Sequence, residues 1–215
     1  MTVDFLWGER SRPTRGPKRA LTLDRIAEVA IAVADAEGLA AVSMQRVAAE
    51  LGFTKMSLYR YLPGKAELVA LMLERAIGEP PALDAGDWRA ALTAWAEALL
   101  ERYRRHGWAT EATTGARPVG PHELGWMENA LAVLPPGLTG GQRMDTVAVL
   151  AGQVRMVAGQ SEAAFVDVIT LVLREHAQRF PAVAAAVTDP GPRDHAFHFG
   201  VERILDGIEV LIRAR

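Results

Sequence analysis

The sequence predicts an all-α protein, an N-terminal three-helix helix-turn-helix followed by a larger helical domain. Three observations carry this. Apolar residues recur at i, i+3, i+4 and i+7 through most of the 215 residues, the spacing of one buried helix face. Strand-like alternation is nearly absent. The first three periodic runs open at residues suited to N-caps, Thr22, Ser43 and Thr54, and close at Gly38, Gly52 and Pro63-Gly64.

In chain order, residues 1–20 come first. RSRPTRGPKR, residues 10–19, carries Arg10, Arg12, Arg15, Lys18 and Arg19, while Pro13, Gly16 and Pro17 discourage helix, so a flexible basic arm is expected. Helix one follows Thr22, with Ile26, Val29, Ala30 and Val33 on its apolar face and Asp24 in the first turn, where a negative charge complements the helix dipole. Helix two repeats the spacing with Met44, Val47, Ala48 and Leu51, before Gly52 supplies a left-handed turn. Helix three, within LGFTKMSLYRYLPGK, is too short to contribute much stability alone. At about 100° per residue, Leu58, Tyr61 and Leu62 fall on its inner side, Met56 and Arg60 on the outer, with Ser57 and Tyr59 flanking. That outer face suits a DNA major groove: arginine can fork onto guanine, methionine can meet a thymine methyl, and tyrosines can reach phosphates. An ordinary solvated helix face is the bland alternative.

Composition narrows the classes. Half of the residues are hydrophobic, which supports a core and excludes disorder throughout. The absence of cysteine excludes disulfides, zinc-thiolate sites and cysteine nucleophiles. The start MTVDFLWGERSR is acidic where a signal peptide is basic and leads into no apolar run, so a cytoplasmic protein is expected. The net charge of -2 is unevenly spread: residues 9–65 hold ten Lys/Arg and six Asp/Glu, a balance of +4. A basic first part joined to an acidic remainder suggests an anionic partner for the first part alone.

With these residues in view, LTLDRIAEVAIAVADAEGLAAVSMQRVAAELGFTKMSLYRYLPGKAELVALML, residues 21–73, closely resembles the DNA-binding domain of the tetracycline-repressor (TetR) family. The most specific part is Leu58-Tyr59 with Tyr61 and Lys65, following the Gly52 turn. The resemblance implies a helix-turn-helix domain over 21–66 and a helical effector-binding and dimerisation domain over 67–215. It implies that Gln45 and Arg46 lie beside DNA, that Lys55, Met56, Ser57 and Arg60 face bases after Thr54, and that Tyr59, Tyr61 and Lys65 grip phosphates. Tyr61 stands where many members have histidine, and its phenol can still donate to a phosphate.

Beyond residue 65, helices are expected over 65–77, 87–106, 121–134, 140–158, 161–180 and 193–213, separated by GEPPALDAG, GARPVG, PPGLTGG and TDPGPR. RYRRHGWATEA and GPHELGWMENALAVLPPGL are similar to the ligand-binding half of the branch containing the tetracycline repressor itself. Two helices carry stripes suited to a partner: Val147, Leu150, Ala151, Val154, Val157 and Ala158 in one, Val201, Ile204, Leu205, Ile208, Leu211 and Ile212 in the other. Either stripe could be plain core. The resemblance implies that 140–158 and 193–213 of two copies form a four-helix bundle. Trp95, Trp126, Met127, Gln153, Met156 and Gln160, together with Trp108 and Phe165, suit a small-molecule pocket with His106 and Arg155 as polar anchors; a helical core uses the same residue types.

The expected function is therefore a homodimeric, ligand-responsive transcriptional regulator, a repressor of a palindromic operator, with no cofactor and no metal of its own. Two rivals remain. A metal-dependent helical enzyme would use His195 and His198 beside Asp194, and His122-Glu123 is a similar case, although adjacent residues on a helix point about 100° apart. No G-x-S-x-G, phosphate-binding or dinucleotide glycine pattern supports catalysis. The other rival is a dimeric interaction protein that reads no DNA sequence.

Overall fold

The computed structural model describes residues 4–8, 21–159, 162–189 and 196–214, and among them every regular element is helical. Packing divides the chain into two units, residues 1–134 and 135–215. The arm cations Arg10, Arg12, Arg15, Lys18 and Arg19, with Gln160, Asp194 and His195, lie outside the described residues, as does the side chain of Phe165.

The first unit begins with a single turn, α1 (Asp4–Trp7). Leu6 is buried, and the Trp7 indole N–H donates to the carbonyl of Val119 at 3.1 Å, so this turn is fastened to the protein. In α2 (Leu23–Glu37) the Thr22 hydroxyl accepts from the Arg25 N–H at 3.2 Å, and the helix ends at Gly38 with φ 84°. It buries Ile26, Ala27, Ala30, Val33 and Ala34, whereas Val29 is only half-buried. A 3-10 turn, Leu39–Ala41, adds Leu39 to the core. The Ser43 hydroxyl caps α3 (Met44–Leu51) by accepting from the Arg46 N–H at 3.1 Å. Met44, Val47, Ala48 and Leu51 are buried, as their spacing indicates. Gly52 is left-handed, φ 74° and ψ 28°, and lets the Phe53 N–H turn back to the carbonyl of Ala48 at 2.9 Å. α4 (Lys55–Tyr59) follows at once.

α5 (Lys65–Ile77) is the core helix of this unit. Leu68, Ala70, Leu71, Met72, Leu73, Glu74, Ala76 and Ile77 are buried, too many for one amphipathic stripe. Such a helix must be covered on several sides, and it packs against α2 as well as α6 (Trp88–Arg105), α7 (Ala109–Ala112) and α8 (Pro121–Val133). Asp87 caps α6 by accepting from the Arg89 and Ala90 N–H groups. The four-residue α7 is invisible to periodicity, because one turn carries no period.

In the second unit, α9 (Gly140–Ala158) starts with a reciprocal cap. The Thr139 hydroxyl accepts from the Gln142 N–H at 3.3 Å, and the Gln142 side chain accepts from the Thr139 N–H at 2.9 Å. α10 (Glu162–His176), a 3-10 turn Ala177–Arg179, α11 (Pro181–Thr188) and α12 (Ala196–Arg213) complete it. The expected helix 161–180 thus stops at His176, and Pro181 starts a helix where none was expected, its fixed φ and missing N–H suiting the first helical position. α9 packs on α12, burying Val147, Leu150 and Val154 on one and Phe197, Val201 and Leu205 on the other. Gly200 makes this approach possible, since a Cβ there would stand 2.1 Å from the Gln153 amide nitrogen.

Candidate nucleic-acid interface

α4 is held by two anchors. Leu58 and Leu62 are completely buried, and they fix which side of this short segment faces outward. Met56 is 70% exposed, Lys55 and Arg60 are also exposed, and Tyr59 lies at the edge of that surface. The Lys55 ammonium sits 5.4 Å from the centre of the Tyr59 ring, which keeps both side chains on the outer face. The face therefore offers two cations, a thioether and a phenol, the groups that contact bases and phosphates in a groove.

Two local expectations need correction. The wheel placed Tyr61 inside with Leu58 and Leu62, but it is 39% exposed. α4 ends at Tyr59, so a helical wheel no longer applies at residue 61. This exposure leaves the Tyr61 phenol reachable. Thr54 was expected to cap α4 and does not: its hydroxyl lies 3.0 Å from that of Ser57, and no side-chain cap bond forms.

Gln45 at the start of α3 is exposed, as is Lys65 at the start of α5. Arg46 is engaged within the protein. Its guanidinium donates to Glu37 at 2.8 Å and to Glu50 at 2.9 Å. The hydrogen bond to Glu37 first, then that to Glu50, raises its pKa above the ordinary arginine value, so it stays cationic. A phosphate reaching Arg46 must compete with two carboxylates.

The residues read as pocket-forming fall in both units. In the first, Trp95 and Trp126 are buried edge to face, ring centres 5.9 Å apart. The Trp95 N–H donates to the Trp126 carbonyl and the Trp126 N–H to the Gly78 carbonyl, each at 2.9 Å. Met127 is half-buried. His106 and Trp108 are already bonded: Asp35 on α2 receives the Trp108 N–H at 2.6 Å and meets His106 Nδ1 at 2.9 Å. In the second unit, Gln153 donates to the Ala196 carbonyl at 2.8 Å, Met156 is exposed and Arg155 half-buried.

Sequence reasoning missed Asp35 and Glu74. Glu74 is buried beneath α8 and accepts from its first N–H groups. The signal for it was present: Glu74 lies three residues after Leu71 and three before Ile77, in register with a core face. His122 and Glu123, the possible metal pair, are each committed elsewhere, His122 to Glu74 and Glu123 to Arg117 through two contacts of 2.6 Å. Among the described residues no group of three or more acidic or histidine side chains is arranged to hold a metal ion.

Comparison with known proteins identifies the family. Residues 26–72 match the bacterial regulatory proteins of the tetR family, and residues 80–212 match the tetracyclin repressor-like C-terminal domain. The HTH-type transcriptional repressor DrrR1 of Streptomyces coeruleorubidus is 42% identical, across 100% of this chain and 87% of that protein. The Streptomyces coelicolor TetR family protein ActR, in complex with (S)-DNPA, superposes with a TM-score of 0.77 at 26% identity, covering 90% of this chain and 99% of its own. Its complex with actinorhodin gives a TM-score of 0.74.

Proposed function

The chain belongs to the TetR family of bacterial regulatory proteins, and from that premise we propose that it is a repressor released from its operator by a small, largely apolar effector. The observation that carries this reading is the outer face of α4, where Lys55, Met56, Tyr59 and Arg60 stand clear of an anchor made by Leu58 and Leu62. One such helix reads a half-site. Two copies related by a two-fold axis place their α4 helices on half-sites one DNA turn, ~34 Å, apart, which makes the operator palindromic. Lys55, Met56, Ser57 and Arg60 read bases; Gln45, Arg46, Thr54, Tyr59, Tyr61 and Lys65 position the helix on the backbone.

The homodimer forms through α9 and α12. Val149 and Val210, 53% and 66% exposed, support an interface there, because such side chains gain from being covered by a second copy. The effector meets Trp95, Trp126 and Met127 of the first unit, with His106 as a polar contact. ActR bound to actinorhodin supports a small-molecule effector for this relative of similar fold. The protein works by binding, not catalysis, in the cytoplasm; among the described residues no helix is long and apolar enough to cross a membrane.

Selection of bound DNA from a random pool tests the reading. A palindrome with a one-turn repeat is expected. Retention that falls steeply with salt but shows no sequence preference would instead favour the interaction protein. Tryptophan fluorescence titrated with actinorhodin, with and without the selected duplex, tests release. Saturating operator should weaken binding of a true effector by ~5–150-fold, and equal affinity in both titrations would exclude actinorhodin as the releasing ligand.

A further inference from the structure

Adjacent residues of α5 grip two different parts of the first unit, and we propose that Glu74 and Arg75 are the positioning pair that passes a displacement of α8 to the DNA-binding helices. The proposal rests on the repressor reading above. Glu74 is only 6% exposed, an unusual place for a carboxylate, and its partners explain it. One oxygen accepts from the His122 backbone N–H at 2.5 Å and the other from the Glu123 N–H at 3.3 Å. These are the second and third residues of α8, whose N–H groups have no acceptor within their own helix. Pro121, the first, has no N–H to satisfy. The N-cap position is Gly120, which has no side chain to offer, and a Cβ there would stand 2.4 Å from the Glu74 carboxylate. α8 is therefore capped by a side chain of α5, with negative charge at the positive end of its dipole.

Further bonds reinforce the join. His122 Nδ1 lies 2.9 Å from the Glu74 backbone carbonyl, and since a carbonyl only accepts, that nitrogen carries the proton. The Trp126 N–H donates to Gly78, and the Asn129 amide to Pro81 at 3.2 Å. Sliding α8 away from α5 would strand a buried carboxylate and two N–H groups, and unsatisfied buried groups cost more than the bonds contribute when made. The two helices thus move as one body.

Arg75 leaves α5 about 100° further round and pairs with Asp24 in the first turn of α2. Consecutive residues consequently hold α8 on one side and the first DNA-binding helix on the other. Both border a cavity of about 570 Å³ whose wall also includes Leu6, Trp7, Tyr61 and His122, so the junction has room to shift.

Hydrogen exchange of the full-length protein, with and without a saturating duplex taken from the selection experiment, reads the coupling from the DNA end, as linkage permits. In the unaltered protein the duplex should slow exchange within residues 44–59 and also at residues 120–124. Glu74→Gln and, separately, Arg75→Gln should keep the slowing at 44–59 while that at 120–124 falls by about fivefold or more, the low end of ordinary coupling between sites. A purely structural role would change exchange equally with and without DNA and leave the duplex-dependent difference intact. Arg75→Gln removes one surface ion pair and keeps the Glu74 cap, so it remains a folded test if Glu74→Gln does not fold. Undiminished slowing at 120–124 in Arg75→Gln, or its absence from the unaltered protein, overturns the pair. Absence of slowing at 44–59 in the unaltered protein overturns the repressor reading and the pair with it.

Discussion

The two units of the chain bury their apolar residues differently. In residues 1–134, Ile26, Leu58, Leu62, Leu68, Met72 and Leu92 are completely buried, and the unit closes a core of its own. In residues 135–215, α9 and α12 share a narrow seam, while Val168 and Leu171 on α10 are 61% and 62% exposed and α11 has no buried residue. Helical periodicity is equally clear in both. A stripe of apolar residues therefore identifies a face that must be covered, and leaves open whether the same chain covers it. The first unit needs no partner to complete its core; the second is suited to meet one.

Leu58→Ala should break this comparison from the first side with the largest effect. Removing a completely buried leucine under the recognition helix should destabilise the protein by ~2–5 kcal/mol, seen as a lower urea midpoint, without changing the mass of the folded particle. Leu211→Asp attacks the other side. It should weaken self-association by about 2 kcal/mol or more, read as a concentration-dependent shift to monomer in sedimentation, while each folded chain keeps its helical content. If Leu211→Asp left the dimer unchanged, the second unit would have to be covered through another face.

Smaller effects sharpen the contrast between core and outer surface within the first unit. Arg60→Ala should leave the urea midpoint in place and cost ~1–3 kcal/mol of operator affinity at one base pair, with preference relaxed there in a repeated selection. An equal loss on operator and scrambled duplex would make Arg60 a phosphate contact. Gly52→Ala meets no atom within 4 Å, so only the left-handed backbone opposes it, at ~1–2 kcal/mol of stability. Arg46→Gln should have only a small effect on folding, because both of its ion pairs are exposed, yet it should weaken binding to all duplexes alike.

Much of the helix-turn-helix was legible in the sequence because its determinants are local. Thr22 and Ser43 cap the helices they precede, Gly52 turns where a left-handed residue is needed, and Leu58 and Leu62 go inward as their spacing indicates. Tyr61 was misplaced because the wheel was extended past the end of α4. The outer face was found from residue type and spacing together, whereas Glu37 as a partner of Arg46 and Asp35 as the partner of His106 were not, since each comes from another helix. Asp35 and His106 are 71 residues apart in the chain, and Glu74 and His122 are 48 apart.

What the sequence by itself determined about this protein is its helical class, the positions of its main helices, the glycine turn and the side chains that leave α4 outward. These follow from backbone propensity and period, which act over a few residues. Only the tertiary structure decided that Gly120 must lack a side chain, that a glutamate from α5 caps α8, and that Asp35 takes the bonds of His106 and Trp108. The physical reason is that a buried polar group must find its partner wherever the packed chain presents one, and no local pattern records where that is.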